Sequence, residues 1–119
     1  MDPELQKIVD AENKRNRAER ERIARRLEAA REEAARLAVE IARADGNVRK
    51  VILFGSVAAG SARNEGFDID LGILGGDQLA LMEITEASSF AVDLVDLEAA
   101  SPGFREMVER RGEVLYGAG

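Results

Sequence analysis

Cysteine and histidine are both absent from this 119-residue chain, and only 4% of its residues are aromatic. Without cysteine the protein forms no disulfide and no thiolate metal site. Without histidine it lacks the side chain that most often serves as a general base or as a zinc ligand. Any catalysis must therefore use carboxylates, hydroxyls, backbone amides or a metal ion held by oxygen atoms.

Long apolar runs are missing as well. No stretch approaches the roughly 20 residues needed to cross a bilayer, and charged residues begin at position 2. We therefore expect neither a membrane segment nor a signal peptide, but a cytoplasmic protein.

The net charge of −6 is confined to one part of the chain. Residues 46–119 contain twelve acids and six bases, whereas residues 1–45 contain eleven of each. Because phosphate backbones are bound by clustered Lys and Arg, nucleic acid is not the expected partner of residues 46–119. Their acidic balance suits a site that recruits divalent cations.

The first 46 residues predict one long charged helix. Asp2 is the candidate N-cap, Pro3 suits the first helical position, and the next glycine, Gly46, marks the end. Apolar residues at spacings of three and four predict that residues 22–44 pack on the rest of the protein. This seam comprises Ile23, Leu27, Ala30, Ala34, Leu37 and Ile41. Residues 4–21 are predicted to project, either as a solvated helix or as an arm that forms a homodimer or a hetero-oligomer.

Residues 47–119 predict a small α/β domain of the α+β kind. Short runs rich in β-branched and apolar residues predict strands over 48–55, 67–74 and 90–97. Asp77 and Ser101 are the N-cap candidates of two helices, and residues 113–116 form a brief strand or a docked tail. The order of elements predicts a small mixed sheet with helices mainly on one face.

Two aspartates interrupt the second predicted strand. Side chains at i and i+2 share a face of a strand, so Asp68 and Asp70 would lie about 7 Å apart, away from the core. Such carboxylates repel each other unless a cation joins them, and Mg²⁺ prefers oxygen ligands. The alternative is a strand with one solvated face. Asp93, between apolar residues of the third predicted strand, supplies a third carboxylate.

The first predicted strand ends in Phe54, Gly55 and Ser56. Glycine lets the backbone approach a ligand closely, and a serine hydroxyl can cap a helical turn whose free N–H groups attract phosphate oxygens. Three carboxylates on neighbouring strands that face such a turn describe a two-metal phosphoryl-transfer site.

The combination resembles the DNA polymerase β-like nucleotidyltransferases, which have Gly-Ser, a spacer, Asp-x-Asp in an apolar strand and a third Asp on a later strand. It is similar in particular to the minimal nucleotidyltransferases (MNT), often the antitoxin half of a pair with an all-helical HEPN ribonuclease, over about residues 48–116. The resemblance implies a nucleotidyltransferase-like fold with ATP as substrate and Mg²⁺ at two metal positions. It implies catalytic and metal-ligating roles for Asp68, Asp70 and Asp93, and nucleotide contacts for Gly55, Ser56 and Arg63.

The resemblance further implies transfer of a nucleoside monophosphate, AMP from ATP, onto a hydroxyl group of a HEPN toxin partner. Three positions depart from the family pattern. Val57 and Ala59 stand where members often have Arg or another polar residue, and Phe67 stands where a small polar residue commonly precedes the first Asp. These departures keep open the alternative of a non-catalytic antitoxin that binds a partner and retains a degenerate nucleotide site.

Overall fold

The computed structural model describes residues 2–117. Residues 1, 118 and 119, which fall within the predicted parts 1–46 and 47–119, lie outside the described residues. The elements in chain order are α1 (Pro3–Ala44), β1 (Lys50–Phe54), α2 (Gly55–Ala59), β2 (Ile69–Leu74), α3 (Gln78–Glu86), β3 (Val92–Asp96), α4 (Pro102–Arg111) and β4 (Glu113–Gly117). The predicted fold class, a small mixed sheet preceded by a long N-terminal helix, is confirmed.

The helix α1 has 42 residues and begins with the predicted cap. The Asp2 carboxylate accepts a hydrogen bond from the Glu4 N–H at 2.9 Å, and Pro3 occupies the first turn. Every residue from Asp2 to Arg17 is exposed. Burial starts at Ile23 and follows the seam, with Ala38 beside it. Because only the second half packs on the sheet, the molecule is elongated, with principal extents of 65 × 30 × 21 Å.

The sheet has the strand order β3-β2-β1-β4. Strand β1 pairs antiparallel with β2 and with β4, while β2 and β3 are parallel and are joined by the crossover helix α3. The strands are shorter than predicted. Asp68 precedes β2 instead of lying in it, because β1 ends at Phe54 opposite Asp70 and β3 begins at Val92 opposite Ile69. No neighbouring strand extends far enough to pair with Asp68.

Apolar side chains cover both faces of the sheet unequally. The larger cluster joins α1, α2 and α3 to one face, through residues such as Leu37, Val57 and Leu81. The smaller cluster places Val108 of α4 against Ile52, Leu74 and Leu97 on the other face. The helices therefore lie mainly on one face, as predicted. The face that carries Asp70 is partly covered as well, by α4.

Within residues 2–117, no helix combines the length and the apolar character that crossing a membrane requires.

Candidate nucleotide-binding site

Three side chains meet across neighbouring strands at one end of the sheet. Asp70 is the second residue of β2, and its register partners are Asp93 on the parallel strand β3 and Phe54 on the antiparallel strand β1. Register therefore places the Asp70 and Asp93 carboxylates side by side on the sheet face opposite the larger cluster. Asp68 is exposed and lies two residues before Asp70.

The electrostatics of the site centre on Asp70. Partial burial raises the pKa of the Asp70 carboxyl, and the negative charges of Asp93 and Asp68 raise it further. Without a bound cation, ionisation of Asp70 is thus less favourable than ionisation of a free aspartate. A cation bound among these three side chains would offset both the burial and the repulsion. Carboxylate oxygens are suitable ligands for Mg²⁺, so the donor set fits the predicted metal.

The backbone of Gly55 lies directly against the Asp70 carboxylate. Gly55 has a φ of +75°, which L-residues with a side chain rarely adopt. A Cβ at this position would lie only 2.1 Å from Asp70 Oδ2. Both the backbone conformation and the space therefore require glycine here. The first residue of the Gly-Ser turn and the second aspartate of the Asp-x-Asp motif are in contact, although fourteen residues separate them in the sequence.

Helix α2 begins with this turn. The predicted capping role of Ser56 is wrong, because Ser56 lies inside α2 and the extended Phe54 is the N-cap. No side chain caps the first N–H groups of α2, so they remain available to an acceptor. Val57 is fully buried in the larger cluster. A residue at this position therefore faces the core.

Arg63 lies on the segment between α2 and β2 and is exposed. In the described part of the chain it forms no ion pair, and the structure does not bring it into contact with the three aspartates. Nor do residues 2–117 contain a cluster of three or more acidic side chains already arranged around a metal position. The sheet register brings Asp70 and Asp93 together, and Asp68 lies near them as a further carboxylate.

Two neighbours of the site were not predicted from the sequence. The ring of Phe104 on α4 lies edge-on to Phe54, with 5.7 Å between the centroids. Phe54 is the register partner of Asp70, so an aromatic wall borders the acidic pair. The spacing of Phe104, Met107 and Val108 marks an apolar face of α4 and was the available signal.

The second unpredicted neighbour is Arg31 of α1. Its Nη1 donates a hydrogen bond to the Val57 carbonyl oxygen at 3.4 Å, and its guanidinium forms an ion pair with Glu113 of β4. Arg31 thereby connects α1 to the short helix α2. No periodic pattern in the sequence distinguishes Arg31 from the other arginines of this charged helix.

Comparison with known proteins gives one family. The family described as "Polymerase beta, Nucleotidyltransferase" matches residues 38–118. No curated protein matches the chain.

Several solved structures are similar to this chain. One, a toxin–antitoxin with AMP-PNP, has 28% identity over 71% of this chain and 73% of its own, with a TM-score of 0.58. The MntA–HepT toxin–antitoxin has 25% identity over 73% of both chains and a TM-score of 0.54. The tri-AMPylated HEPN toxin of Shewanella oneidensis in complex with its MNT antitoxin has 25% identity over 73% of this chain and 72% of its own, and a TM-score of 0.54.

The register of Asp70 with Asp93, the glycine turn against Asp70 and the match over residues 38–118 agree with one another. The resemblance drawn from the motifs is therefore confirmed. This chain belongs to the polymerase beta nucleotidyltransferase family, with MNT antitoxins as its structural neighbours.

Proposed function

We propose that this chain is a Mg²⁺-dependent nucleotidyltransferase that moves AMP from ATP onto a hydroxyl group of a HEPN-type helical toxin. The observation that carries the proposal is the side-by-side position of Asp70 and Asp93 next to the Gly55 turn. Solved relatives with AMP-PNP, and with an AMPylated toxin, support the choice of nucleotide and of partner.

In this proposal each site residue has a distinct role. Asp68, Asp70 and Asp93 would hold Mg²⁺, which supplies positive charge to the phosphate oxygens as the transfer proceeds. The backbone of Gly55 and the uncapped N–H groups that begin α2 bind the triphosphate, together with the hydroxyl of Ser56. Arg63 adds a positive charge from the following segment.

Transfer of AMP needs no reactant besides ATP and the acceptor hydroxyl. The acceptor hydroxyl oxygen forms a bond to the α-phosphorus of ATP, the bond from that phosphorus to the bridging oxygen breaks, and pyrophosphate leaves. Asp93, which is exposed, accepts the proton of the hydroxyl. In-line displacement of this kind depends mainly on positioning and on charge stabilisation.

The acceptor is a protein hydroxyl in this proposal because residues 46–119 have twelve acids against six bases. That surface repels the phosphates of an RNA acceptor. We also propose that the chain is organised as residues 1–46, the long helix, and residues 47–119, the nucleotidyltransferase domain. The proposed site lies wholly in the second part, and the second half of α1 supports it.

The alternative function, a non-catalytic antitoxin, is favoured by one specific observation. The three carboxylates do not form a preassembled metal cluster in the described residues. A degenerate site of this kind would leave partner binding intact without AMP transfer.

Titration with ATP and transfer of labelled AMP distinguish the two functions. We expect ATP to bind in Mg²⁺ or Mn²⁺ and to bind poorly in EDTA, and the AMP label to move to the toxin partner. Asp70→Asn should abolish transfer. Asp96→Asn is the matched control, because Asp96 lies on the same strand as Asp93 but on the opposite face, and should remain active. Equal ATP affinity with and without metal, or partner neutralisation without transfer, contradicts the enzymatic proposal.

A further inference from the structure

Strand β3 forms one edge of the sheet, and half of its backbone groups face away from β2. Within residues 2–117, β2 is the only strand that pairs with β3. Ala91 and Leu97, which flank β3, both form backbone hydrogen bonds with β2. Alternate residues of a strand direct their N–H and C=O groups to the same side, so the odd-numbered residues between them bond to β2 as well. The N–H and C=O groups of Val92 and Leu94 therefore point to the open edge.

The open edge lies in line with the row of side chains that forms the candidate site. Phe54, Asp70 and Asp93 stand side by side on β1, β2 and β3, and Asp93 is exposed. A strand added along β3 would continue this row beyond Asp93. Because the backbone of Asp93 faces β2, an antiparallel partner would meet it in a non-hydrogen-bonded pair, in which the Cα atoms are only about 4.5 Å apart. The next side chain of the row would then lie beside the Asp93 carboxylate.

The surroundings of the edge favour a basic segment with apolar residues at alternate positions. Residues 86–98, which contain β3, have four acids and no base. On the other face of the sheet, the half-buried side chains of Val92 and Leu94 pack against the larger cluster. Apolar side chains on either side of the residue opposite Asp93 would extend this packing as cross-strand pairs.

We propose that the acceptor protein docks by adding an antiparallel strand to β3, with its hydroxyl-bearing residue opposite Asp93. The choice of occupant rests on the proposed function, because AMP transfer requires an acceptor hydroxyl at Asp93. Val92 and Leu94 each exchange a pair of backbone hydrogen bonds with the added strand. These bonds hold the segment, and the row of side chains delivers the hydroxyl to the carboxylate that accepts its proton. In a helical toxin, such an extended segment belongs to a loop or a tail.

Other occupants fit the edge less well. Pairing of two copies through β3 would bring two Asp93 and two Asp96 carboxylates onto one short ladder, and like charges at such distances destabilise it. RNA has no N–H and C=O groups in its backbone to continue the ladder, and the acids of residues 86–98 repel its phosphates. A basic extended peptide satisfies the open backbone groups and the charge together.

Amide hydrogen exchange of the full chain, read residue by residue by NMR, tests the docking without any transfer. The probe is the end-capped peptide Thr-Lys-Val-Tyr-Val-Lys-Thr at millimolar concentration, which has tyrosine as its hydroxyl residue. In the free protein we expect the N–H groups of Val92 and Leu94 to exchange faster than those of Asp93 and Val95, which bond to β2. The peptide should slow exchange at Val92 and Leu94 about tenfold.

Two methylated peptides are matched controls for the backbone bonds. Methyl groups on the nitrogen atoms of both valines remove the donors that would face Val92 and Leu94. This peptide should no longer slow exchange, and labelling of its tyrosine with AMP should fall at least about tenfold. A methyl group on the tyrosine nitrogen points away from β3, so that peptide should retain both effects.

Val92→Pro tests the same contact from the side of the protein. Proline is tolerated as the first residue of a strand, but it has no N–H to donate to an added strand. AMP labelling of the unmethylated peptide should fall about tenfold, while Mg²⁺–ATP binds as before, because Val92 lies on the face opposite the carboxylates. The unfolding midpoint of the variant shows whether its fold is retained, and the methylated peptides test the natural protein if it is not.

Each outcome supports or overturns the proposal. Slower exchange at Val92 and Leu94 that requires the valine N–H groups supports it. Unchanged exchange with the unmethylated peptide, or equal effects of the two methylated peptides, overturns it. So does a free protein in which the N–H groups of Val92 and Leu94 are already protected. The exchange measurements use no ATP, so failure of the docking and failure of the enzymatic function are distinguishable.

Discussion

Replacing Gly55 by Ala tests the contact on which the site depends. The new Cβ would lie 2.1 Å from Asp70 Oδ2 and 3.1 Å from its Cγ, where ordinary contact begins at 3.4 Å. The end of the Asp70 side chain must therefore move away from the turn. In addition, alanine at a φ of +75° costs about 1–2 kcal/mol of backbone strain.

Gly60→Ala is the matched control for the backbone strain of an alanine at positive φ. Gly60 ends α2 with a φ of +65°, and no heavy atom lies within 4 Å of a Cβ added there. The control should lose the same 1–2 kcal/mol or so of stability without disturbing any carboxylate. Denaturant unfolding of both variants measures this shared cost.

Activity should separate the two variants. A displacement of about 1 Å in a reacting constellation can reduce the rate about 100-fold. We therefore expect Gly55→Ala to lose about two orders of magnitude in AMP transfer, while Gly60→Ala stays within a few-fold of the natural protein. Equal activity losses at equal stability losses would refute the reasoning, since the contact with Asp70 would then have no consequence for the site.

Three further predictions follow from the structure. Asp70→Asn should not lower the unfolding midpoint in EDTA, because the raised pKa of Asp70 means that the metal-free fold loses stability as pH rises through the titration of this carboxyl. Any stability advantage of the Asn variant should therefore vanish in acid. An unfolding midpoint several degrees lower at neutral pH would make Asp70 a structural residue. Arg31→Ala should raise KM for ATP more than it changes kcat, because Arg31 holds the Val57 carbonyl, and steady-state kinetics beside Glu113→Gln show whether the ion pair is required. Leu37→Ala should cost about 2–5 kcal/mol of unfolding free energy because Leu37 is fully buried, whereas Leu5→Ala at an exposed position should cost less than about 0.5 kcal/mol.

The predictions that succeeded depend on short-range chemistry. Asp77 accepts hydrogen bonds from the Leu79 and Ala80 N–H groups, and Ser101 from that of Phe104, as the N-cap patterns indicate. A cap involves residues within three positions of each other, so the sequence contains all the participants. The seam of α1 is of the same kind, because helical periodicity alone selects which side chains share a face.

The predictions that failed depend on distant partners. Asp68 was expected inside β2, but a strand extends only as far as its neighbours do, and those neighbours end opposite Asp70 and Ile69. Ser56 was expected to cap α2, but the chain is still extended at Phe54. The placement of α4 on the face of Asp70 follows from packing against Leu74 and Leu97, which no local pattern indicates.

The sequence by itself determined the helices α1, α3 and α4 with their N-caps, the apolar seam of α1 and the face of β2 on which Asp70 stands, because each of these depends on residues a few positions apart. Only the tertiary structure placed Asp93 beside Asp70, Gly55 against its carboxylate, and Arg31 on the turn that follows. The register of the parallel strands joined by α3 and the docking of α1 bring these residues together. Both result from burying apolar surface between elements that are distant along the chain.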